Sequence, residues 1–369
     1  MSRTYLKGLN TLRFFAAFFV IISHGQISLY KMGLPDYINL PVFNRGSDAV
    51  EFFFTLSGFL ITYLLQAEIR QSGTVSIRAF YWRRVFRIWP LYFLIVFIGF
   101  LLLGWLYPTL TGQPFFEFPL LKGLLLFICF LPNLATTLYP AGMLYPLWSI
   151  GVEEQYYLFW APLVKIFRNR LFGLVILFFF VSCAWYYVVS KGLLPLSDDM
   201  RKFFITQKFY AMATGGVFGL ILARHPEQYK RSFLAGKFAQ VLLIGLLIGY
   251  YLLGIPFAAD GVLLHFLLSI LYGILILNSS AIEKPVINLE REPFVYLGKI
   301  SYGLYMYHML ADYILRFALL KMHVNTKVNL KILMPFYHMA LLGGAILLAS
   351  LSYKYIESYF LRLKGKYIS

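Results

Sequence analysis

Ten apolar stretches follow one another along the chain, at 11–29, 48–67, 85–106, 146–165, 171–190, 205–223, 238–254, 262–280, 299–320 and 332–357, with short loops between them. Each has roughly the twenty residues that an α-helix needs to cross the hydrocarbon of a bilayer. The backbone must satisfy its own hydrogen bonds there, so the sequence predicts an all-α polytopic helical bundle of about ten transmembrane helices, forming a single domain over 1–369. With 60% hydrophobic and only 13% charged residues, the chain lacks the balance of a soluble domain. The net charge of +17 is scattered over short loops rather than gathered on one face. It is read as topology determinants and lipid headgroup contacts, not as a nucleic-acid surface. Cys129 and Cys183 both lie in apolar stretches and are read as packing residues. Arg3 and Lys7 precede the first apolar run as they would in a signal peptide, but no small-residue cleavage site follows, so the run is expected to be a retained span.

The stretch Leu120 to Leu134 is short and contains Pro132. If it re-enters without crossing, the basic residues at 165–170, 224–237, 284–299 and 354–366 all face the cytoplasm and outnumber those at 191–208 and 321–331 on the other side. A full crossing would invert that bias. A re-entrant segment near 120–134, with both termini cytoplasmic, is therefore expected.

Ionisable residues inside such spans are costly and mark candidate sites. Arg13 and His24 lie eleven residues apart in the first span, so both project from one helix face about 16 Å apart. In the second span Asp48 and Glu51 sit one turn apart near its outer end, within reach of headgroup water, with Ser57 and Gly58 deeper. The third begins YWRRVFRIWP, where Arg84 and Arg87 share a helix face suited to holding two phosphates, although juxtamembrane arginines commonly serve as headgroup anchors. The segment PLWSIGVEEQYYLF places Glu153 and Glu154 inside a span. Adjacent helical residues diverge by about 100°, so at most one of the two faces a given cavity squarely. Counting depth from an outer-boundary Leu147 puts Glu153 within one turn of His24, which predicts that the two meet.

RFFAAFFVIISHG, GSDAVEFFFTLSGFLI, RRVFRIWPLYF, FLPN, PLWSIGVEEQYYLF and LGKISYGLYMYHML occur in that order. Their succession and spacing over essentially the whole chain resemble the acyltransferase-3 family of integral membrane acyltransferases. Ala49 departs from the glycine common in the second motif. The resemblance implies ten or so spans, a cytoplasmic acyl-CoA donor, and acetylation of surface-carbohydrate hydroxyls. It implies that Arg13 and His24 belong to an essential first-span motif, that Arg84 and Arg87 serve the acyl-CoA side, and that Glu51, Ser57, Trp148 and Glu153 occupy recurrent positions.

The chemistry of the residues is compatible with that reading. A thioester is already activated, so transfer needs a base for the acceptor hydroxyl and a grip on the anionic donor. His24 is the candidate base, or the carrier of an acyl relay, because imidazole titrates near neutrality. Glu153 is the expected orienter of its ring. Arg13 is expected at donor phosphate or at the developing oxyanion, and Arg84 with Arg87 at the nucleotide end of coenzyme A. Glu51, Ser57, Trp148, Glu154, Tyr302 and His308 are candidate substrate contacts. His308 is read as a structural hydrogen-bonding or substrate residue, and Tyr302 with Tyr305, three apart, as lining one cavity. His225, His265, His323 and His338 show no ligand spacing, and no metal is expected.

The expected co-substrate is acetyl-CoA, with succinyl or longer acyl groups as alternatives. The acceptor is expected to be a lipid-linked or nascent polysaccharide, reached directly at the membrane core or through glycan-assembly partner proteins, in a bacterial inner membrane. A transporter or flippase for a polysaccharide precursor is the alternative, in which the intramembrane charges line a translocation path. The sequence lacks the paired half-helices in two matching halves that such a path favours.

Overall fold

Each of the ten expected spans falls on helix in the computed structural model, with 205–223 divided at Lys208 and 299–320 at Ile300; the structure describes residues 5–34, 37, 39–113, 115–116, 119–255, 260–322 and 330–367. The long helices are α1 (Leu9–Lys31), α2 (Gly46–Ser72) and α3 (Ile77–Thr111). Two short helices follow, α4 (Leu120–Ile128) and α5 (Pro132–Leu138), and then α6 (Leu147–Ile166) and α7 (Leu171–Ser190). The ten-residue α8 (Asp198–Gln207) leads into α9 (Phe209–Arg224), and α10 (Lys237–Leu253) into α11 (Gly261–Ala281). The chain closes with α12 (Phe294–Lys299), α13 (Ser301–Lys321), α14 (Leu330–Ser352) and α15 (Ser358–Tyr367), the last two joined by a π-turn over Tyr353–Glu357. Among the described residues there is no strand. Six of the helices are both long and apolar enough to cross a membrane. Others are shorter, as α9 is, or carry charge inward, as α6 does with Glu153 and Glu154.

Local chemistry fixes the helix ends. Ser76 and Ser197 cap α3 and α8 by accepting from Ala79 N and Met200 N, and Asp260 caps α11 through Val262 N and Leu263 N. Gly73, with φ 73°, ends α2 in the left-handed conformation that suits glycine. Leu120 to Leu134 is not one continuous helix: α4 ends at Ile128, Phe130 takes φ 56°, and Pro132 opens α5. The segment expected to re-enter is a pair of short helices that leads the chain to the start of α6.

The broadest packing in the bundle is between α2 and α9. It depends on small residues: a Cβ on Gly58 would stand 1.8 Å from Met212 O, and one on Gly215 would stand 1.9 Å from Thr55 O. Helix α1 packs on α2 from one side and on α12, α13 and α14 from the other, so the first helix lies between the second and the last ones. Polar side chains also join helices in the core, as when Trp160 donates to Thr62 Oγ1 at 3.1 Å. The outer faces expose Phe172, Leu177, Phe180 and Val181, as lipid-facing helices do. Cys129, read as a packing residue, is exposed, because it sits at the end of the short α4 rather than inside a packed span.

Candidate active site

Two structures built from intramembrane polar residues lie side by side in the bundle. The first is a cavity of about 90 Å³ where α1, α2, α3, α6 and α13 meet. Arg13, Ser57, Arg84, Arg87, Glu153, Tyr302 and Tyr305 all line it. Arg84 and Arg87 face it together, as their spacing predicts, and so do Tyr302 and Tyr305. Among the described residues no carboxylate lies within ion-pair distance of Arg13, Arg84 or Arg87. The buried Nε of Arg84 has no hydrogen-bond partner. Three guanidinium groups converging on one cavity without carboxylate partners make a strongly anion-attracting site.

Glu153 does not reach His24. Its Oε1 accepts from Ser57 Oγ at 2.9 Å and its Oε2 from Tyr157 OH at 2.8 Å, which holds the carboxylate on the cavity wall. The expected meeting fails because each group has another partner: Ser57 and Tyr157 hold the carboxylate, and His308 holds His24. Helices α4 and α5 lead the chain into the bundle, where Ser149 at the start of α6 shares a buried 2.8 Å hydrogen bond with Tyr305 OH. Glu153, one turn further along α6, is thereby carried to the depth of Ser57 and the arginines. Its neighbour Glu154 turns away, as the 100° step demands, and accepts from Trp89 Nε1 at 3.1 Å.

The partner of His24 is His308. Nδ1 of His24 stands 2.8 Å from Nε2 of His308, with the rings near parallel at 11°. Nδ1 of His308 is 2.6 Å from the carbonyl oxygen of Tyr305. A carbonyl only accepts, so His308 carries its proton on Nδ1 and, when neutral, presents a lone pair at Nε2. His24 must then donate from Nδ1, which leaves its own Nε2 as a bare lone pair. No hydrogen bond joins that nitrogen to another described residue. Tyr305 links the two structures: its side chain lines the cavity and its carbonyl fixes His308.

Glu51 is not on the cavity. Six helical steps separate it from Ser57, which turns the two about 120° apart around α2. Glu51 is fully buried, 3.1 Å from Lys208 Nζ and 2.9 Å from His265 Nδ1 through Oε2, and accepts from Ser269 Oγ at 2.9 Å. The pair Asp48 and Glu51 therefore does not reach headgroup water: Asp48 is buried too, accepting from Tyr250 OH at 2.7 Å. His265, which shows no ligand spacing in sequence, joins Asp48 and Glu51 in one cluster within 4.8 Å. Lys208 already supplies the cation there, so the cluster reads as a buried ion pair tying α2 to α9 and α11. Trp148 packs edge-on against Phe54, with centroids 5.9 Å apart, and lines no part of the cavity. His338 contacts Ile22 O at 3.2 Å and Gln26 at 3.4 Å; His323 lies outside the described residues.

Lys208 and Tyr157 are the contributors that the sequence reading misses. Lys208, counted there among outer-loop charges, sits within an apolar stretch opposite an unassigned carboxylate, a signal that pairing could have supplied. Tyr157 shows only as one aromatic residue among many.

Fold and site together define a polytopic membrane protein with an anion-attracting cavity beside a partly buried imidazole pair. The chain belongs to the acyltransferase-3 family: the family model, described as an acyltransferase domain, matches residues 6–354. It is similar to the putative peptidoglycan O-acetyltransferase YrhL of Bacillus subtilis, with 25% identity over 82% of this chain and 48% of the relative. The O-acetyltransferase OatA of Staphylococcus aureus shares 26% identity over 83% of the chain and 50% of the relative. For the peptidoglycan O-acetyltransferase OatA of Listeria monocytogenes the values are 23%, 97% and 56%. The chain spans about half the length of these curated relatives. No solved structure matches it significantly.

Proposed function

We propose that the protein is a membrane O-acyltransferase that moves an acetyl group from acetyl-CoA to a hydroxyl of a cell-surface or lipid-linked carbohydrate. The observation that carries this reading is the bare Nε2 of His24, oriented by His308 beside a cavity with three guanidinium groups free of carboxylate partners. The end of the bundle that carries Arg13, Arg84 and Arg87 faces the cytoplasm of a bacterium, where coenzyme A thioesters are made. The protein lies in the inner membrane.

Arg84 and Arg87 hold donor phosphate, and Arg13 completes the grip. About 16 Å of α1 separates Arg13 from His24, which removes Arg13 from any oxyanion formed at the histidine and fits it to the phosphate role. The long pantetheine arm suits that span and brings the thioester up past Tyr305. There Nε2 of His24 takes the proton from the acceptor hydroxyl, the oxygen attacks the carbonyl carbon, the C–S bond breaks, and the proton returns to the departing thiolate. His308 keeps Nδ1 of His24 engaged as donor, the task a carboxylate performs in a serine-protease triad. A transient acyl group on Nε2 uses the same lone pair. Glu153, fixed by Ser57 and Tyr157, shapes the donor cavity and limits its net positive charge. The similarity to peptidoglycan O-acetyltransferases supports a saccharide acceptor and an acetyl group.

Protein reconstituted in liposomes with radiolabelled acetyl-CoA inside and glycan acceptor present tests the reading. Label is expected on the glycan, and His24→Ala is expected to abolish it with the fold intact. Glycan crossing the bilayer without acyl-CoA, and no label transfer, would favour a flippase instead.

A further inference from the structure

A second cavity, of about 250 Å³, adjoins the first and shares Arg13, Arg87 and Tyr302 with it. It lies at the end of the bundle where the start of α1, the break between α12 and α13, and the π-turn after α14 come together. Asn10, Gly298, Lys299, Tyr353, Glu357 and Leu361 complete its wall. The π-turn over Tyr353–Glu357 makes this wall: the wider turn shifts the helix register and presents Tyr353 and Glu357 to the cavity.

Its chemistry is two-sided. Arg13, Arg87 and Lys299 supply three cations, yet Glu357, only 8% exposed, puts a carboxylate among them. Ser352 Oγ donates to Glu357 Oε1 at 3.2 Å, and among the described residues no cation lies within ion-pair distance of Glu357. A site for bare phosphate gains nothing from a carboxylate. A ligand bearing both phosphates and a ring with an exocyclic amino group uses every part: cations for the phosphates, the carboxylate to accept from the amine, and a partly buried tyrosine for the ring face.

We propose that this cavity is the subsite for the nucleotide end of the donor. Lys299 and Arg87 hold phosphate, Glu357 accepts from the adenine amino group, and Tyr353 packs against the base. The assignment rests on the reading that the donor is a coenzyme A thioester. It adds that the protein selects adenine over other bases.

The test uses the full chain in nanodiscs, with the 3′,5′-bisphosphates of adenosine and inosine as calorimetric probes. Inosine presents a carbonyl where adenosine has its amino group. Adenosine bisphosphate is expected to bind about tenfold tighter or more, the worth of one hydrogen bond to a charged group. Glu357→Gln is expected to erase that preference, because an amide can donate to the inosine carbonyl. Lys299→Met is expected to weaken both probes about tenfold. Equal affinity of the unaltered protein for the two probes overturns the proposal without any variant having to fold, and so does a preference unchanged in Glu357→Gln. If either occurs while acetyl-CoA still labels glycan, only the subsite fails. If acetyl-CoA neither binds nor labels, the donor reading fails with it.

Discussion

His24 and His308 stand 284 residues apart in sequence, yet Nδ1 of the first lies 2.8 Å from Nε2 of the second. The carbonyl of Tyr305 sets the direction of that hydrogen bond, and so decides which nitrogen of His24 remains a base. His308→Ala should therefore leave His24 in place with neither its ring angle nor its tautomer fixed. Acetyl transfer is expected to fall by about 10²–10⁴, the worth of a positioned general base, with KM for acetyl-CoA nearly unchanged. Steady-state kinetics in proteoliposomes checks both halves of that expectation.

Arg84 and Arg87 are expected to show the opposite split. Replacing either by alanine removes phosphate binding made equally in ground and transition states, so KM for acetyl-CoA should rise about tenfold or more while kcat holds. Lysine should restore only part, since it offers a point charge rather than a planar fork. A fall in kcat at constant KM would place these arginines at the reacting atoms instead.

The Glu51–Lys208 pair predicts a stability effect without a catalytic one. Glu51→Gln leaves a buried ammonium without its counter-charge, at a cost of about 3–5 kcal/mol. The double variant Glu51→Gln, Lys208→Met should recover much of it. Thermal unfolding in detergent measures the cost, and activity per folded molecule should stay near that of the parent. Loss of acceptor binding in the folded double variant would return Glu51 to the substrate site.

Gly58 and Gly215 allow two backbones to touch. Alanine at Gly215 would bring a methyl against Thr55 O and push α2 from α9, with destabilisation of at least about 1–3 kcal/mol. Ser57 sits beside Gly58 on the displaced helix, so its hydrogen bond to Glu153 should loosen as well. Gly215→Ala is expected to lower both the unfolding temperature and acetyl transfer.

Much of this molecule is legible in its sequence because hydrocarbon imposes one backbone solution and makes charge rare. All ten apolar stretches became helices, and Arg13, Arg84, Arg87 and Glu153 met in one cavity because helical periodicity carries their faces. Depth is less legible. Counting inward from Leu147 places Glu153 near His24, whereas Ser57 and Tyr157 hold it on the cavity wall. Partner choice between distant helices was equally hidden. Nothing local says that His308 rather than Glu153 turns toward His24, or that Lys208 leaves its loop to neutralise Glu51. The π-turn at 353–357 breaks the 3.6-residue period and so escapes any reading that relies on it.

Helix α1 is made before α12, α13 and α14, yet it packs against all three. Throughout synthesis it must wait in the bilayer with Arg13 and His24 lacking their final neighbours. A chain halted before Ser301 has His24 without His308 and a cavity without Ser301, Tyr302 and Tyr305. On the proposed function, competence for transfer therefore waits until α13 has been made and has packed against α1.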